Sequence, residues 1–206
     1  MIRRAYSIAS SSLSRDHLEL FITLVRSGEL TPRLFALQAG DRVWVGPKLT
    51  GLFTMREVPP EKHIVMVATG TGVAPYMSML RTELGGPAPR RYAVLAGARH
   101  SWDLAYTAEL ITMARLQPRM AYLPTVSRPA EEPAPWSGHK GYVQALWTGG
   151  ALEAAWGFRP TASNSHVFLC GNPGMIDDVC KVLAAEGFVE MDARHPEGQI
   201  HVERYW

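Results

Sequence analysis

Cysteine is scarce in this 206-residue sequence: there are two, Cys170 and Cys180, ten residues apart. That spacing is neither a CxxC pair nor a cluster-ligand frame, which excludes an iron–sulfur centre carried by the chain and points to a reducing compartment, the cytoplasm. Long apolar runs are also missing. The cleanest aliphatic stretches reach about five residues, against the roughly 20 that a bilayer-spanning helix needs, so no membrane segment is expected. Neither sign of charge dominates. With 21 basic and 19 acidic residues the net charge is +2, so there is no global field of the kind that draws a protein to nucleic acid. The seven histidines show no HxxxH or HxH spacing, and no metal site is expected from them. Residues 1–15, rich in Ser and Arg and without an acid, imitate an organelle transit peptide but have no apolar segment that would support secretion.

What is present is a change of grammar near residue 59. Residues 1–58 read as β-rich with one short helix: Arg3 to Ala9 and Leu18 to Val25 as strands, Thr31 as a helix N-cap with Pro32 at the first helical position, and Arg42 to Val45 opening further strands that end near Met55. Pro59 and Pro60 mark a boundary. From His63 the chain alternates strand and helix, the pattern of a doubly wound parallel sheet covered on both faces. Strands are expected at 64–68, 92–96, 121–125, 166–170 and 199–206, and helices at 75–84, 104–116 and 173–186. Two domains follow, 1–58 and 59–206.

The stretch from Ile64 to Pro75 organises the second domain. A β-branched apolar run stops at Thr69-Gly70-Thr71-Gly72, and Pro75 opens a helix. Gly70 and Gly72 can take backbone angles closed to other residues and lack side chains that would block a ligand, so free amides and a helix dipole are offered to an anion such as a diphosphate. The spacing is not the GxGxxG of the Rossmann fingerprint. In such a sheet, ligands lie at the carboxyl ends of the strands. At those ends stand Thr125-Val126-Ser127-Arg128, whose hydroxyl and guanidinium suit a phosphate monoester, the strand exit at Arg99, and Cys170-Gly171-Asn172-Pro173. Together they suggest an extended dinucleotide with an extra phosphate.

Five segments in order resemble the ferredoxin–NADP reductases. Arg4-Ala5-Tyr6-Ser7 is similar to their RxYS motif, Gly28-Glu29-Leu30-Thr31 to GxxS/T, Gly70-Thr71-Gly72-Val73-Ala74-Pro75 to GTGxAP, and Cys170-Gly171-Asn172-Pro173 to CGNP. Val202-Glu203-Arg204-Tyr205-Trp206 resembles the bacterial C-terminus. The resemblance implies a flavoenzyme moving electrons between NADPH and ferredoxin or flavodoxin as a monomer, with FAD in an antiparallel β-barrel and NADP on the parallel sheet. Arg4 and Thr31 would hold the FAD pyrophosphate, Tyr6 would stack on one flavin face, and Ser7 would hydrogen-bond near the nitrogen that exchanges hydride. Tyr205 would cover the opposite face as a gate, and Trp206 would lie toward the adenine. Thr69, Gly70, Thr71, Gly72 and Pro75 would hold the NADP diphosphate. Arg99, Ser127 and Arg128 would hold its 2′-phosphate, Lys140 standing in for a basic residue that relatives carry nearby. Cys170 and Glu203 would flank the nicotinamide, with Gly171, Asn172 and Pro173 completing that turn.

The family pattern has several dozen residues before RxYS, forming the first barrel strands, whereas Arg4 stands almost at the start. The expected barrel is therefore N-terminally incomplete, with an unclosed edge. Two other readings stay open, the reductase component of an oxygenase and a non-catalytic NADP-binding remnant. Whether Arg81, Arg90 or Arg91 serves a docking surface is open as well.

Overall fold

Runs of β-branched and small apolar residues build the centre of the protein, seen in a computed structural model that describes residues 2–46, 48, 51–87 and 89–204. His63–Thr69 form β1, Tyr92–Ala98 β2, Met120–Val126 β3, His139–Lys140 β4, Ser165–Cys170 β5 and Ile200–Glu203 β6. All pairings are parallel, in the order β4-β3-β2-β1-β5-β6. β1 pairs with β2 on one side and with β5 on the other, so the topological switch point lies between β1 and β5. That is where a doubly wound sheet opens a crevice.

Burial on both faces explains why the central strands β1, β2 and β5 read as continuous apolar runs. One face carries Ile64, Met66, Val94 and Phe168 against Tyr76 and Leu80 of α2 (Ala74–Glu83) and Leu110 of α3 (Thr107–Leu116). The other carries Val65, Val67, Leu95 and Leu169 against Ile176, Val179 and Leu183 of α6 (Pro173–Ala185). Two short helices that periodicity does not reveal, α4 (Gln144–Thr148) and α5 (Ala151–Trp156), complete that second cover through Leu146, Trp147, Leu152 and Trp156. α3 begins at Thr107 rather than Leu104, because Leu104 is extended and Tyr106 sits in the left-handed region at φ 56°.

The first 58 residues differ from expectation. Among the described residues there, the only regular element is a five-residue helix, α1 (Thr31–Phe35), and the only strand-like contact is an antiparallel bridge between Ile8 and Leu20. Among the described residues, the alternating segments at 3–9, 18–25 and 42–45 find no ladder partners beyond that bridge, the expected barrel is not seen, and apolar side chains such as Trp44 (93% exposed) and Leu52 (94%) face outward. The segment is nonetheless anchored. Ala9, Met55 and Val58 enter the α2-side core. Arg81 of α2 makes two hydrogen bonds to the Glu109 carboxylate (2.8 and 2.7 Å) and also donates to Ala9 O (2.7 Å) and Glu19 Oε2 (2.9 Å). Tyr106 donates to the other Glu19 oxygen, and this hydrogen bond is the main cause that holds the Glu19 carboxyl below its ordinary range. Arg90 and Arg91 are also spent within the fold, donating to the carbonyls of Val58 and Pro60 and of Trp156.

Candidate active site

A cleft of about 1510 Å³ lies between the N-terminal segment and the carboxyl ends of the strands. One wall is Arg4 to Ser7 with Thr31, and the other is Thr69 to Thr71, Arg99, Ser127, Arg128 and the Gly171-Asn172 turn. Residues separated by most of the chain thus converge, because the switch point leaves room above β1 and β5 and the N-terminal segment is tied over the sheet by Ser7 to Glu203 and by the Ala9 carbonyl to Arg81 of α2.

The sharpest convergence is at the ends of β5 and β6. Their register sets Cys170 beside Glu203. Cys170 Sγ donates to Glu203 Oε2 at 3.8 Å, and Ser7 Oγ donates to the same oxygen at 2.8 Å. A hydroxyl, a thiol and a carboxylate from three segments therefore meet on one oxygen atom. Cys170 is fully buried, whereas Ser7 and Glu203 are partly open to solvent. Tyr205 and Trp206, expected to gate this place, lie outside the described residues.

At the glycine turn, Gly70 to Val73 form one 3-10 turn leading into α2, with Pro75 in its first turn. Gly70 has φ +57°, and a Cβ there would meet nothing within 4 Å, so the outer side of the turn is open to a ligand's close approach. Gly72 is different: a Cβ there would stand 2.0 Å from the Cys170 carbonyl oxygen. Its bareness serves packing of the turn on β5 and not access for a ligand, which corrects the sequence reading. Gly171 (φ +140°) packs likewise against Thr69, and Asn172 N donates to Thr69 Oγ1 at 2.9 Å. Gly72, Pro75, Cys170, Pro173 and Glu203 are not among the cleft-lining residues; Cys170 and Glu203 reach the cleft through Ser7, which is.

Three further placements depart from expectation. Thr31 does not cap α1; Leu30 holds that position, and Thr31 Oγ1 instead donates to Val25 O and accepts from Val25 N, both at 3.0 Å. The Asn172 side chain caps α6 by accepting from Gly174 N (2.9 Å) and Met175 N (3.4 Å), so its oxygen is engaged within the chain. Lys140 is exposed on the edge strand β4 and is not among the cleft-lining residues, although Gly141 and Tyr142 beside it are. Arg4 lines the cleft, exposed, with Nη1 donating to the Arg3 carbonyl at 2.8 Å.

The sequence reading missed Trp102, which lines the cleft on the turn after β2, and its neighbours His100 and Glu131. Their one legible signal was proximity to the strand exits at Arg99 and Arg128.

The sequence pattern described as the oxidoreductase NAD-binding domain matches residues 66–181. The flavodoxin/ferredoxin–NADP reductase of Shigella flexneri is 33% identical over 205 residues, covering 100% of this chain and 81% of that one. The chain belongs to the ferredoxin/flavodoxin–NADP reductase family. Ferredoxin–NADP reductase B of Sorangium cellulosum is 38% identical, covering 99% of this chain and 78% of that protein. Among solved structures, a ferredoxin NADP+ reductase from Neisseria gonorrhoeae with bound FAD and NADP superposes with a TM-score of 0.82 at 25% identity, over 98% of this chain and 80% of that one.

The residues present fit a dinucleotide of this family. The turn at Gly70 leaves open space where a side chain would stand, room enough for a diphosphate, and Arg99, Arg128, Tyr6 and Ser7 line the same cleft. Among the described residues, no group of three metal-ligating side chains exists, and no helix is long and apolar enough to cross a membrane.

Proposed function

We propose that this chain moves electrons between NADPH and a one-electron carrier, ferredoxin or flavodoxin, through FAD held against residues 1–58 while residues 59–206 hold NADP. The supporting observation is the meeting of Ser7, Cys170 and Glu203 on one carboxylate oxygen, since it joins the RxYS segment to the carboxyl ends of β5 and β6. Bound flavin supplies the conversion of a two-electron hydride into single electrons. The chain's own residues do the positioning. Arg4 offers its guanidinium to the FAD diphosphate, and Tyr6 offers a ring to one flavin face, with Tyr205 and Trp206 assigned to the opposite face and the adenine side. Ser7 orients a hydroxyl toward the site of hydride exchange, and Glu203 holds that hydroxyl when no ligand competes for it. Cys170 shapes the nicotinamide seat; it is buried and makes no covalent bond in a hydride transfer.

On the NADP side, Thr69 to Thr71 present the turn to the diphosphate, and Arg99, Ser127 and Arg128 receive the 2′-phosphate. Gly72, Pro75, Gly171, Asn172 and Pro173 act one layer back by fixing that turn on β5 and α6. The protein works as a monomer in the cytoplasm, a setting that suits its two free thiols.

A coupled assay tests this. With FAD supplied, the chain should reduce flavodoxin or ferredoxin at the expense of NADPH. Consumption of NADPH with neither carrier reduced would overturn the assignment of the partner.

A further inference from the structure

At the edge of the cleft, the residues after β2 and β3 form a charged knot that ties Arg128 to groups the proposed function leaves unassigned, Glu131 and His100. Ser127 N donates to Ala98 O at 2.9 Å and Arg128 N to Arg99 O at 3.0 Å, so strand pairing runs past the strand ends and sets the two arginines on neighbouring strand exits. Their states differ. Arg99 is exposed and has no ion pair among the described residues. Arg128 lies 3.5 Å from Glu131 Oε1, and the other oxygen of that carboxylate, Oε2, lies 2.8 Å from His100 Nε2.

The knot is braced. The His100 ring stacks on Trp102 with centroids 4.4 Å apart and planes 8° apart, and His100 Nδ1 is 3.4 Å from Asp103 Oδ2. Glu132 accepts from Ser101 N at 2.7 Å and Ser101 Oγ at 2.6 Å, fixing the turn that carries Trp102. The hydrogen bond from His100, above all, holds the Glu131 carboxyl below the usual carboxylate range, so it stays an anion near neutrality. One carboxylate thus gives an oxygen each to a guanidinium and an imidazole, a pairing that a phosphate monoester satisfies with more charge.

We propose that Glu131 is an internal stand-in for the 2′-phosphate of NADPH: it holds Arg128 and His100 while no phosphate is there, and it sets how strongly the chain prefers NADPH to NADH. The inference deepens the proposed function and rests on its reading of Arg99 and Arg128 as the 2′-phosphate end. A phosphate entering here must displace a group of like charge, whereas the 2′-hydroxyl of NADH has a proton to donate to that carboxylate. Removing the carboxylate therefore favours NADPH alone.

The test is calorimetric titration of adenosine 2′,5′-bisphosphate and of 5′-AMP into the full chain and its Glu131→Gln, Glu131→Ala and Arg128→Ala variants. Glu131 lies on an exposed turn (55% of its side chain), and circular dichroism checks that each variant folds. Both Glu131 variants should bind the bisphosphate roughly three- to tenfold more tightly, the scale of a solvent-screened charge pair plus a relieved like-charge contact, with 5′-AMP unchanged or weaker. Arg128→Ala should weaken the bisphosphate. Unchanged or weaker bisphosphate binding in the Glu131 variants, or equal tightening of both ligands, would overturn the role of Glu131 while an effect of Arg128→Ala leaves the phosphate clamp standing. No effect of Arg128→Ala would remove the clamp, and the inference with it.

Discussion

Ser7 Oγ donates to Glu203 Oε2 across 196 positions of sequence, and the account depends on what that hydroxyl does when a ligand takes the carboxylate's place. A hydrogen bond to a charged group contributes about 1.5–3 kcal/mol, so Ser7→Ala should lower kcat roughly ten- to hundredfold if the bond strengthens in the transition state, with KM for NADPH little changed. Steady-state kinetics of the FAD-loaded chain decide it; an unchanged kcat would make Ser7 a packing residue. Arg128→Ala works on binding instead. It should raise KM for NADPH about tenfold or more and leave KM for NADH within about twofold, because only NADPH carries the monoester that makes a charge-assisted contact. Equal effects on both would remove Arg128 from the phosphate end. Ser7, Cys170 and Glu203 were all legible in the sequence through short motifs, but that they share one oxygen atom was not, since no spacing encodes a contact made by three distant segments. Glu131 and His100 were illegible for a different reason: a carboxylate in a proline-rich loop looks like any solvated charge until the loop's path is known.

Among the elements, the turn from β1 into α2 carries the most constraint. Its outer glycine, Gly70, faces open space, whereas Gly72 touches β5, where a Cβ would stand 2.0 Å from the Cys170 carbonyl oxygen and 2.8 Å from Gly171 N. Those are backbone atoms that cannot swing aside, so Gly72→Ala should destabilise the fold by about 2–3 kcal/mol or more. Urea titration followed by circular dichroism measures this, and a loss below about 0.5 kcal/mol, within the range of ordinary surface substitutions, would mean that the turn is not packed as described. β1, β2 and β5 are readable because burial on both faces leaves unbroken apolar runs, β6 because its residues alternate, and the three long helices because they carry apolar stripes. α4 and α5 are not, because helices of five and six residues separated by Gly149 and Gly150 are too short to show a period. In residues 1–58 the alternation suggests strands, whereas the described residues there make a single bridge; alternation gives a segment the capacity for pairing, and a ladder also needs a neighbour.

For the molecule as a whole, the two parts are tied by contacts whose loss is measurable. Arg81 connects α2, α3 and the N-terminal segment, and the sheet carries a buried histidine pair at β5 and β6. His166 Nδ1 and His201 Nε2 are 2.9 Å apart, and burial, the leading cause at each, pushes both down to about 4. A histidine in the unfolded chain titrates near 6.5, so the folded state favours the neutral rings. Their contribution to stability is therefore complete above about pH 6.5 and is lost as the pH falls through 4. The thermal midpoint should drop between pH 7 and pH 5, and the double variant His166→Gln, His201→Gln should flatten that slope. An identical slope in the variant would place the acid sensitivity elsewhere.

The central claim is that the N-terminal segment and the parallel sheet together hold a flavin that accepts hydride from NADPH. The visible absorption spectrum of the purified chain, with FAD supplied and oxygen removed, tests it directly. The account predicts flavin bands that stay with the protein through gel filtration and bleach when NADPH is added. Protein that binds NADPH yet stays colourless, or bands that NADPH leaves unchanged, would contradict it.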